Sequence, residues 1–558
     1  VNRWNRATNA GGEEVPAWLP PLADALAEAL PRLLLEEPEP RLQELIRALT
    51  AALASGEPEL ALDAPAPAGI DPRHWPDDHL RALEASALGR PPQGPLVLEP
   101  GRIVWRRWWE QRQGVLAALI RRAAADPSAE PQPTAKPAVV ATLQGLDPEQ
   151  CRAVEAVLHH RLVLLQGGPG TGKTSTVARM IRRLKEQHTG ARVHLAAPTG
   201  KAAARLRAAT DGVAPCTTLH RLLESRGDGF ARDHRHPLDL DLLVVDEVSM
   251  VDLALMAAVL DALPDTCRLV LVGDPAQLPP VAPGALLAEL QRPAALEALG
   301  EAVITLRTVH RNAGAIAAIA SQLRGTMTGP AGAEGSGTHQ ADPLRAVRAS
   351  LAALGAEDNL IWRECPIGSL PSLLLEPLAE HRQRLGERAR TCPPGDSAAE
   401  RALLEERDRL LVLAPRRRGR WGVEAIHRAL LGAGVLEDPR HWPPGTPALC
   451  GRNLPELGLA NGDVGVMLAP DPLDGEPHVL FGPGDGTGGD AIRLHPAQLA
   501  GSLEPALALT VHKAQGSEAD AVIVLLPPEE PRDPRLLYTA LTRARERALL
   551  ISPISKAT

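Results

Sequence analysis

Apolar and polar positions fall into distinct textures along the chain. Between residues 17 and 122, apolar residues recur at helical spacing, as in Leu42, Leu45, Ile46, Leu49 and Leu53, and predict a small, mostly helical unit. Within it, "LVLEPGRIVW" reads as a hairpin around a Pro-Gly turn. The stretch "AADPSAEPQPTAKPAVV" that follows lacks large apolar residues, is broken by proline and reads as a linker. From about residue 142, short apolar runs end in Gly, Asp or Pro and lead into helical segments: "RLVLLQGG", "RVHLAAPTG", "DLLVVDEVSM" and "CRLVLVGDPAQ". Strands alternating with helices predict a parallel α/β sheet whose ligands sit at the carboxyl ends of the strands. A second such set starts at "RLLVLAPRRRG" and includes "AVIVLLPPEE", which predicts a second α/β lobe.

The boundaries read as 1–124 for an N-terminal domain, 125–141 for a linker, 142–300 for a first lobe and 301–555 for a second. "RGTMTGPAGAEGSGTHQADP" predicts a flexible insertion at about 325–345. A Gly/Pro-rich stretch at about 455–500, with pieces such as "GDVGVML" and "HVLF", predicts a small β insertion.

A length of 558 residues implies several domains, and 44% hydrophobic with 23% charged residues is ordinary for a globular protein. The net charge of −8 leaves no global basic field, so any nucleic-acid contact must use a local groove. The six cysteines (Cys151, Cys216, Cys267, Cys365, Cys392, Cys450) contain no CxxC pair, which argues against a zinc site or a disulfide framework and for a reducing compartment. No run reaches membrane-spanning length and the first twenty residues hold no apolar signal core, so the expected location is cytoplasmic, with no membrane partner. Val1 stands where Met is expected, through an alternative start codon or a missing N-terminal piece.

Aromatics are scarce, yet "RIVWRRWWEQR" places Trp105, Trp108 and Trp109 within five positions. Tryptophan among arginines suits a single-stranded nucleic-acid platform, and equally a buried anchor. With a helix starting near Arg106, Trp108, Trp109, Val115, Leu116, Leu119 and Ile120 share one stripe, with Arg107, Glu110 and Arg121 away from it, which favours an anchor.

The sharpest chemistry is "GGPGTGKTS", which fits G-x-x-x-x-G-K-[ST] directly after the strand "RLVLLQ". Gly167, Gly168, Gly170, Thr171 and Gly172 would let backbone N–H groups wrap phosphates at a helix N-terminus, next to Ser175. Lys173 would neutralise the β- and γ-phosphates and Thr174 would ligate Mg²⁺. "LLVVDE" supplies a second half: Asp246 for the Mg²⁺ shell and Glu247 to orient and deprotonate the attacking water. No N-K-x-D guanine motif and no L-S-G-G transporter motif is present, so the class of P-loop protein must be decided by the other motifs.

Further polar motifs follow in order: "LDPEQCRAV", "LAAPTGKAAARL", "CTTLHRLL", "VVDEVSMVD", "VGDPAQLPPVAPG", "LTVHKAQGSEAD" and "LLYTALTRARERALL". This collinear series resembles the superfamily 1 helicases, and within them the RecD-like branch, the family of the exodeoxyribonuclease V alpha subunit. The resemblance covers about residues 142 to 555.

It implies two RecA-like P-loop lobes, the mostly helical N-terminal domain and an SH3-like β insertion in the second lobe. It implies that Gln150 reads adenine, that Gln277 contacts the γ-phosphate or the attacking water, and that Arg543 reaches the γ-phosphate from the second lobe. Arg311, in a looser motif, resembles a second such arginine; Glu518 would contact the nucleotide sugar, with Gly516 allowing close approach. Thr199, Lys201, Thr218 and His220 in the first lobe, and Thr510, His512 and Lys513 in the second, would grip the DNA backbone. "ESRGDGFARDHRHP", at about 224–238, resembles a strand-separating pin, with a basic surface loop as the other reading, and Arg416 to Arg418 face DNA or form a solvated turn.

The implied activity is ATP-dependent 5′-to-3′ DNA unwinding in double-strand break repair and homologous recombination, on single strands and duplex ends. The implied partners are the beta and gamma subunits of exodeoxyribonuclease V, RecB-like and RecC-like. About 140 residues before Gln150 without paired G-x-G hairpins favour the complex subunit over a stand-alone RecD-like helicase, and no nuclease carboxylate–lysine cluster is recognisable. In that setting the tryptophan stripe would dock the N-terminal domain onto a partner. A clamp or scaffold that has lost hydrolysis is the third reading, opposed by the intact set of Lys173, Asp246, Glu247, Gln277 and Arg543.

Overall fold

The computed structural model describes residues 18–124, 143–227, 229–309, 314–328, 343–470, 475–482, 491–499, 501–526 and 533–554. Arg311 lies outside them, as do residues 329–342 of the expected flexible insertion.

The N-terminal domain contains α1 (Leu19–Leu33), α2 (Pro40–Ala54), β1 (Glu59–Ala61), α3 (Asp77–Ala85), β2 (Leu96–Glu99), β3 (Arg102–Trp105) and α4 (Arg106–Ala124). Its strands pair antiparallel in the order β1-β3-β2. Glu39 begins α2 by accepting from Leu42 N at 2.8 Å, and the helix packs Leu42, Leu45, Ile46 and Leu49 against Leu96, Ile103 and Trp105.

The tryptophan stripe divides between two cores. Trp105 and Trp108 pack in the N-terminal core, whereas Val115 and Leu119 sit in the core of the first lobe with Leu255, Met256, Val259 and Leu299. Trp109 is half-buried and donates its indole N–H to Glu99 at 2.6 Å. Buried Arg122 donates to the carbonyls of Leu263, Pro264 and Cys267, 2.7–3.0 Å away. Helix α4 thus fastens the domain to the chain's own first lobe.

That lobe is built from α5 (Pro148–His159), β4 (Leu162–Gly167), α6 (Lys173–Gln187), β5 (Val193–Ala197), α7 (Gly200–Ala209), β6 (Cys216–Thr218), α8 (Leu219–Leu222), β7 (Ser225–Arg226), β8 (Gly229–Phe230), β9 (Leu242–Val245), α9 (Leu253–Ala262), β10 (Arg268–Gly273), α10 (Leu286–Leu290), α11 (Pro293–Leu299) and β11 (Val303–Leu306). Its main sheet has six strands, all parallel, in the order β11-β4-β10-β9-β5-β6. Because both faces are covered by helices, β4, β9 and β10 are buried at every position. The first lobe runs past the boundary at 300, since β11 pairs with β4 from Val303↔Leu164 to Leu306↔Gly167. That edge pairing joins residues about 140 apart in sequence, which local periodicity does not register.

The second lobe contains α12 (Ala315–Thr328), α13 (Pro343–Ala352), β12 (Leu360–Cys365), α14 (Ser372–Arg390), α15 (Ser397–Arg407), β13 (Leu410–Ala414), α16 (Val423–Leu431), α17 (Ala433–Leu436), β14 (Pro447–Cys450), β15 (Val464–Met467), β16 (Val479–Phe481), β17 (Ile492–Leu494), β18 (Leu503–Pro505), β19 (Leu509–Thr510), β20 (Ala519–Leu525), α18 (Pro534–Leu541) and β21 (Ala544–Pro553). Its main sheet is again parallel, in the order β12-β21-β20-β13-β19. The β insertion is a five-stranded antiparallel sheet, β17-β16-β15-β14-β18, and runs from Pro447 to Pro505, wider than 455–500. Its outer boundaries lie in "PALC" and "LEP", ordinary short apolar pieces until they pair with each other. No helix among the described residues is long and apolar enough to cross a membrane.

Candidate nucleotide and strand-contact site

Strand order does most of the assembly. With β10 between β4 and β9, three strands end side by side and present the phosphate loop, the loop at Asp274 and the acid pair Asp246–Glu247. After β4 the chain turns through Gly170 (φ 73°) and Gly172 (φ 81°), left-handed positions that suit glycine, and Gly172 opens helix α6. A Cβ on Gly167 would lie 2.6 Å from Thr171 Oγ1 and 3.1 Å from the Leu306 carbonyl, so the loop is closely packed from below. Thr171 is buried and donates to Gly168 O at 2.8 Å; Ser175 and Thr176 both donate to Gly172 O. The Lys173 ammonium donates to the carbonyls of Gly167 (2.7 Å) and Gly168 (3.0 Å), so the cation lies within the loop. Thr174 stands one residue into α6, at its dipole-positive end.

Gln150 is the third residue of α5 and closes a capping box with Asp147. Its amide also donates to Thr171 O at 3.3 Å, which puts the carboxamide against the phosphate loop.

Asp246 and Glu247 are both buried at the end of β9, and Glu247 has a positive φ of 53°, rare for a residue with a side chain. Burial, and then the neighbouring Glu247 carboxylate, raise the Asp246 pKa above the usual carboxylate range. Burial also opposes ionisation of Glu247, but Arg205, Arg543 and Lys173 outweigh it, so the Glu247 pKa lies below its ordinary value. One carboxylate is therefore held ionised inside a cationic frame.

Gln277 follows β10. Its side chain is buried, and among the described residues its Oε1 has no hydrogen-bond partner, as is also true of Gln166 Nε2 at the end of β4. Orphaned buried polar atoms carry a cost that a bound polar group removes. Together with the glycine cradle and the hard-oxygen donors Thr174 and Asp246, they fit a nucleotide triphosphate with Mg²⁺.

The second lobe closes on the same place. Arg543 is buried, donating from Nε to Thr539 O (3.2 Å) and from Nη1 to Ser517 O (3.5 Å). Leu278 N donates to Thr539 Oγ1 at 3.0 Å and Gln515 Nε2 donates to Leu278 O at 2.8 Å, so the Gln277 loop is stitched across the cleft. Glu518 pairs with Arg205 at 2.7 Å and with Arg545 at 3.4 Å.

Several residues here had no role on sequence grounds. Arg324, on α12, places its Nη1 2.8 Å from where a Cβ of Gly168 would stand. "ASQLRG" carries no local signal of that approach. Arg205 lies four residues after Lys201 and so one helical turn further along α7 on a similar face, a spacing that could have singled it out.

The expected DNA-facing residues are distributed unevenly. Thr199 caps α7 by accepting from Ala202 N, and Lys201 turns into the cleft to donate to Ser517 Oγ at 3.1 Å. Burial, with Arg407 nearby, pulls the Lys201 pKa down to about 8. Gly516 has a φ of 75° and a Cβ there would meet Thr199 Oγ1 at 3.0 Å, so α7 and the 516–518 loop are in direct contact. Thr218 is buried and caps α8, and half-buried His220 has its ring 5.9 Å from Phe230. Phe230 belongs to the antiparallel pair β7–β8, and Asp233 and His236 form a further antiparallel bridge in the 224–238 segment. Thr510 ends β19, and His512 and Lys513 follow it; Thr510 and Lys513 line a cavity of about 220 Å³ with Arg417, Arg428 and Glu504. Exposed Lys513 pairs with Glu504 at 2.9 Å, and Arg417 reaches the same carboxylate at 3.4 Å.

Comparison with known proteins bears on the whole chain. Residues 150–283 match the model of an AAA domain and residues 505–551 that of a UvrD-like helicase C-terminal domain. The RecBCD enzyme subunit RecD of Mycolicibacterium smegmatis is 36% identical over 556 residues, covering 93% of this chain and 91% of that protein. Its namesake from Mycobacterium tuberculosis is 35% identical, covering 87% and 82%. The ATP-dependent RecD2 DNA helicase of Deinococcus radiodurans is 34% identical over 77% of this chain but only 53% of its own length.

Proposed function

This chain belongs to the RecD family of ATP-using DNA helicases, and from that premise we propose that it is the 5′-to-3′ motor and alpha subunit of an exodeoxyribonuclease V (RecBCD) complex. It would act at duplex ends in double-strand break repair and homologous recombination, with RecB-like and RecC-like subunits as partners. Support for the subunit reading is likeness to two RecBCD subunits over 91% and 82% of their lengths.

The observation that carries the motor reading is the convergence of Lys173, Glu247, Gln277 and Arg543 on one cleft between two parallel-sheet lobes. Backbone amides of Gly168–Gly172 and the Lys173 ammonium bind the ATP phosphates, and Gln150 sets the base beside the loop. Thr174 and Asp246 would hold Mg²⁺, which supplies charge neutralisation at the β- and γ-phosphates. Glu247, ionised within its cationic frame, accepts the proton of the attacking water, and Gln277 orients that water. Arg543 stabilises charge developing on the γ-phosphate only while the lobes are closed. Cycling between closed and open lobes alternates the grips at Thr218 and His220 with those at Thr510, His512 and Lys513. The hairpin β7–β8 would meet the duplex as a pin.

The test is co-purification with candidate beta and gamma subunits, then unwinding of 5′- and 3′-tailed duplexes. The expected result is DNA-stimulated ATP hydrolysis and opening of 5′-tailed substrate within the complex. Full processivity of the chain alone would replace the subunit reading by the stand-alone one. Lys173→Gln should abolish hydrolysis; unchanged turnover would remove the motor reading.

A further inference from the structure

Arg205 occupies a position that no motif role explains. It sits on α7 of the first lobe, and its guanidinium spans the cleft with both prongs. Nη2 donates to Glu247 Oε1, and Nη1 donates to Glu518 Oε1 at 2.7 Å. The residue expected to activate water and a carboxylate of the second lobe thus share one cation.

Two further contacts make this a joint rather than a chance pairing. Lys201, one turn earlier on α7, donates to Ser517 Oγ at 3.1 Å. Gly516 meets Thr199 so closely that a Cβ there would stand 3.0 Å from Oγ1. Helix α7 therefore rides on the 516–518 loop, and the Arg205 side chain carries that contact to Glu247. The remaining charges around Glu247 are Asp246 beside it, Lys173 from α6 and Arg543 from the second lobe. Without Arg205, buried Glu247 and half-buried Glu518 would face each other from opposite lobes with no bridging guanidinium, an arrangement that favours separation.

We propose that Arg205 is a positioning residue that orients Glu247 and ties it to Glu518, so that the geometry for hydrolysis depends on where the second lobe stands. The proposal deepens the motor reading and rests on it. A planar guanidinium suits this role because its fork fixes two carboxylates at a set angle, which an ammonium on a flexible stem does not. Held through Oε1, Glu247 keeps Oε2 for the attacking water. When the 516–518 loop shifts with the second lobe, the fork turns and the carboxylate turns with it. The same α7 is capped by Thr199, so a strand gripped there would be read out at Glu247 through one rigid helix.

The experiment is steady-state ATP hydrolysis, with single-stranded DNA, by the full chain and its Arg205→Gln, Arg205→Lys, Glu518→Gln and Arg205→Gln/Glu518→Gln variants. Arg205→Gln should lower kcat on the order of 100-fold, a typical cost of a misplaced catalytic group, with KM for ATP within about threefold. Arg205→Lys should recover part of the loss. Adding Glu518→Gln should cost much less kcat in the Arg205→Gln background than in the natural chain. A kcat within about threefold of the natural chain, a loss confined to KM, or additive effects of the two substitutions would overturn the proposal. A second readout does not need turnover: amide hydrogen exchange over 514–518 in the nucleotide-free protein should be faster in Arg205→Gln, and unchanged exchange would also overturn it. Absence of hydrolysis in the natural chain would instead fail the motor reading, with the exchange measurement still deciding the Arg205 contact. Should Arg205→Gln fail to fold, Arg205→Lys carries both readouts.

Discussion

The hydroxyl of Tyr538 donates a 2.6 Å hydrogen bond to Asp274 Oδ2 across the cleft between the lobes. Tyr538 is the one tyrosine of the chain and is 1% exposed, as is Asp274. The other Asp274 oxygen accepts from Ala276 N at 3.1 Å, so both carboxylate oxygens are engaged, one by each lobe. Tyr538→Phe keeps the ring and leaves a buried carboxylate oxygen without its donor, which should cost about 1–3 kcal/mol. Denaturant unfolding would show it, and a weaker response of hydrolysis to DNA should accompany it, because one of the stitches between the lobes is gone.

Gly167→Ala tests the close packing under the phosphate loop. A Cβ there meets Thr171 Oγ1 at 2.6 Å and the Leu306 carbonyl at 3.1 Å, and a β-strand backbone has little room to retreat. Overpacking of this kind costs about 1–3 kcal/mol, so nucleotide affinity should drop by roughly 10- to 100-fold. Titration with a fluorescent ATP analogue measures it; full affinity would mean that the loop yields without cost.

Glu289 gives a pH dependence with a definite sign. It lies buried where the N-terminal domain meets the first lobe, with Arg292 at 2.7 Å, Arg112 at 3.9 Å, and Glu59, Glu99 and Arg102 close by. Burial, only partly offset by Arg112, raises its pKa from 4.5 to about 7. A folded pKa above the unfolded one means that the folded state holds the proton more tightly. Its stabilising contribution is complete below pH 4.5 and is lost as pH rises through about 7. The loss amounts to as much as roughly 3 kcal/mol. Thermal melts between about pH 5 and 8 should fall with pH, and Glu289→Gln should flatten that part of the slope.

Lys513 is the exposed cation among the second-lobe contacts and already holds an anion, Glu504. Lys513→Ala should weaken single-stranded DNA binding to a similar degree for every sequence. It should also lower the salt dependence of log K by about 0.7, one phosphate's worth. A loss that varied with base sequence would point away from backbone gripping.

Much of the geometry of the proposed nucleotide half of the site was legible because its signals are local. "GGPGTGKTS" and "LLVVDE" each place their functional residues within a few positions of a buried strand end, where backbone geometry leaves little choice. Gln150 was legible as a helix-start residue, and its reach to Thr171 O follows once α5 and the loop are neighbours. Lys201 was not. As a motif residue it reads as a DNA contact, whereas the fold turns it into the cleft against Ser517, because α7 docks on the 516–518 loop more than 300 residues away in sequence.

By itself the amino-acid sequence indicated the alternation of strands and helices, the candidate phosphate loop and acid pair, and the family. Those properties depend on hydrophobic period and on short, fixed spacings. Only tertiary structure decided which strand edges pair, as in β11 with β4, and which side chains meet across the cleft, as in Arg205 with Glu247 and Glu518. It also settled the tryptophan-rich segment: one helix serves two cores, with Trp108 in the first and Leu119 in the second, and Arg122 locked onto carbonyls of the motor lobe. The reason is physical. An amphipathic stripe specifies that a face will be buried, while the partner that buries it depends on where distant parts of the chain come to rest.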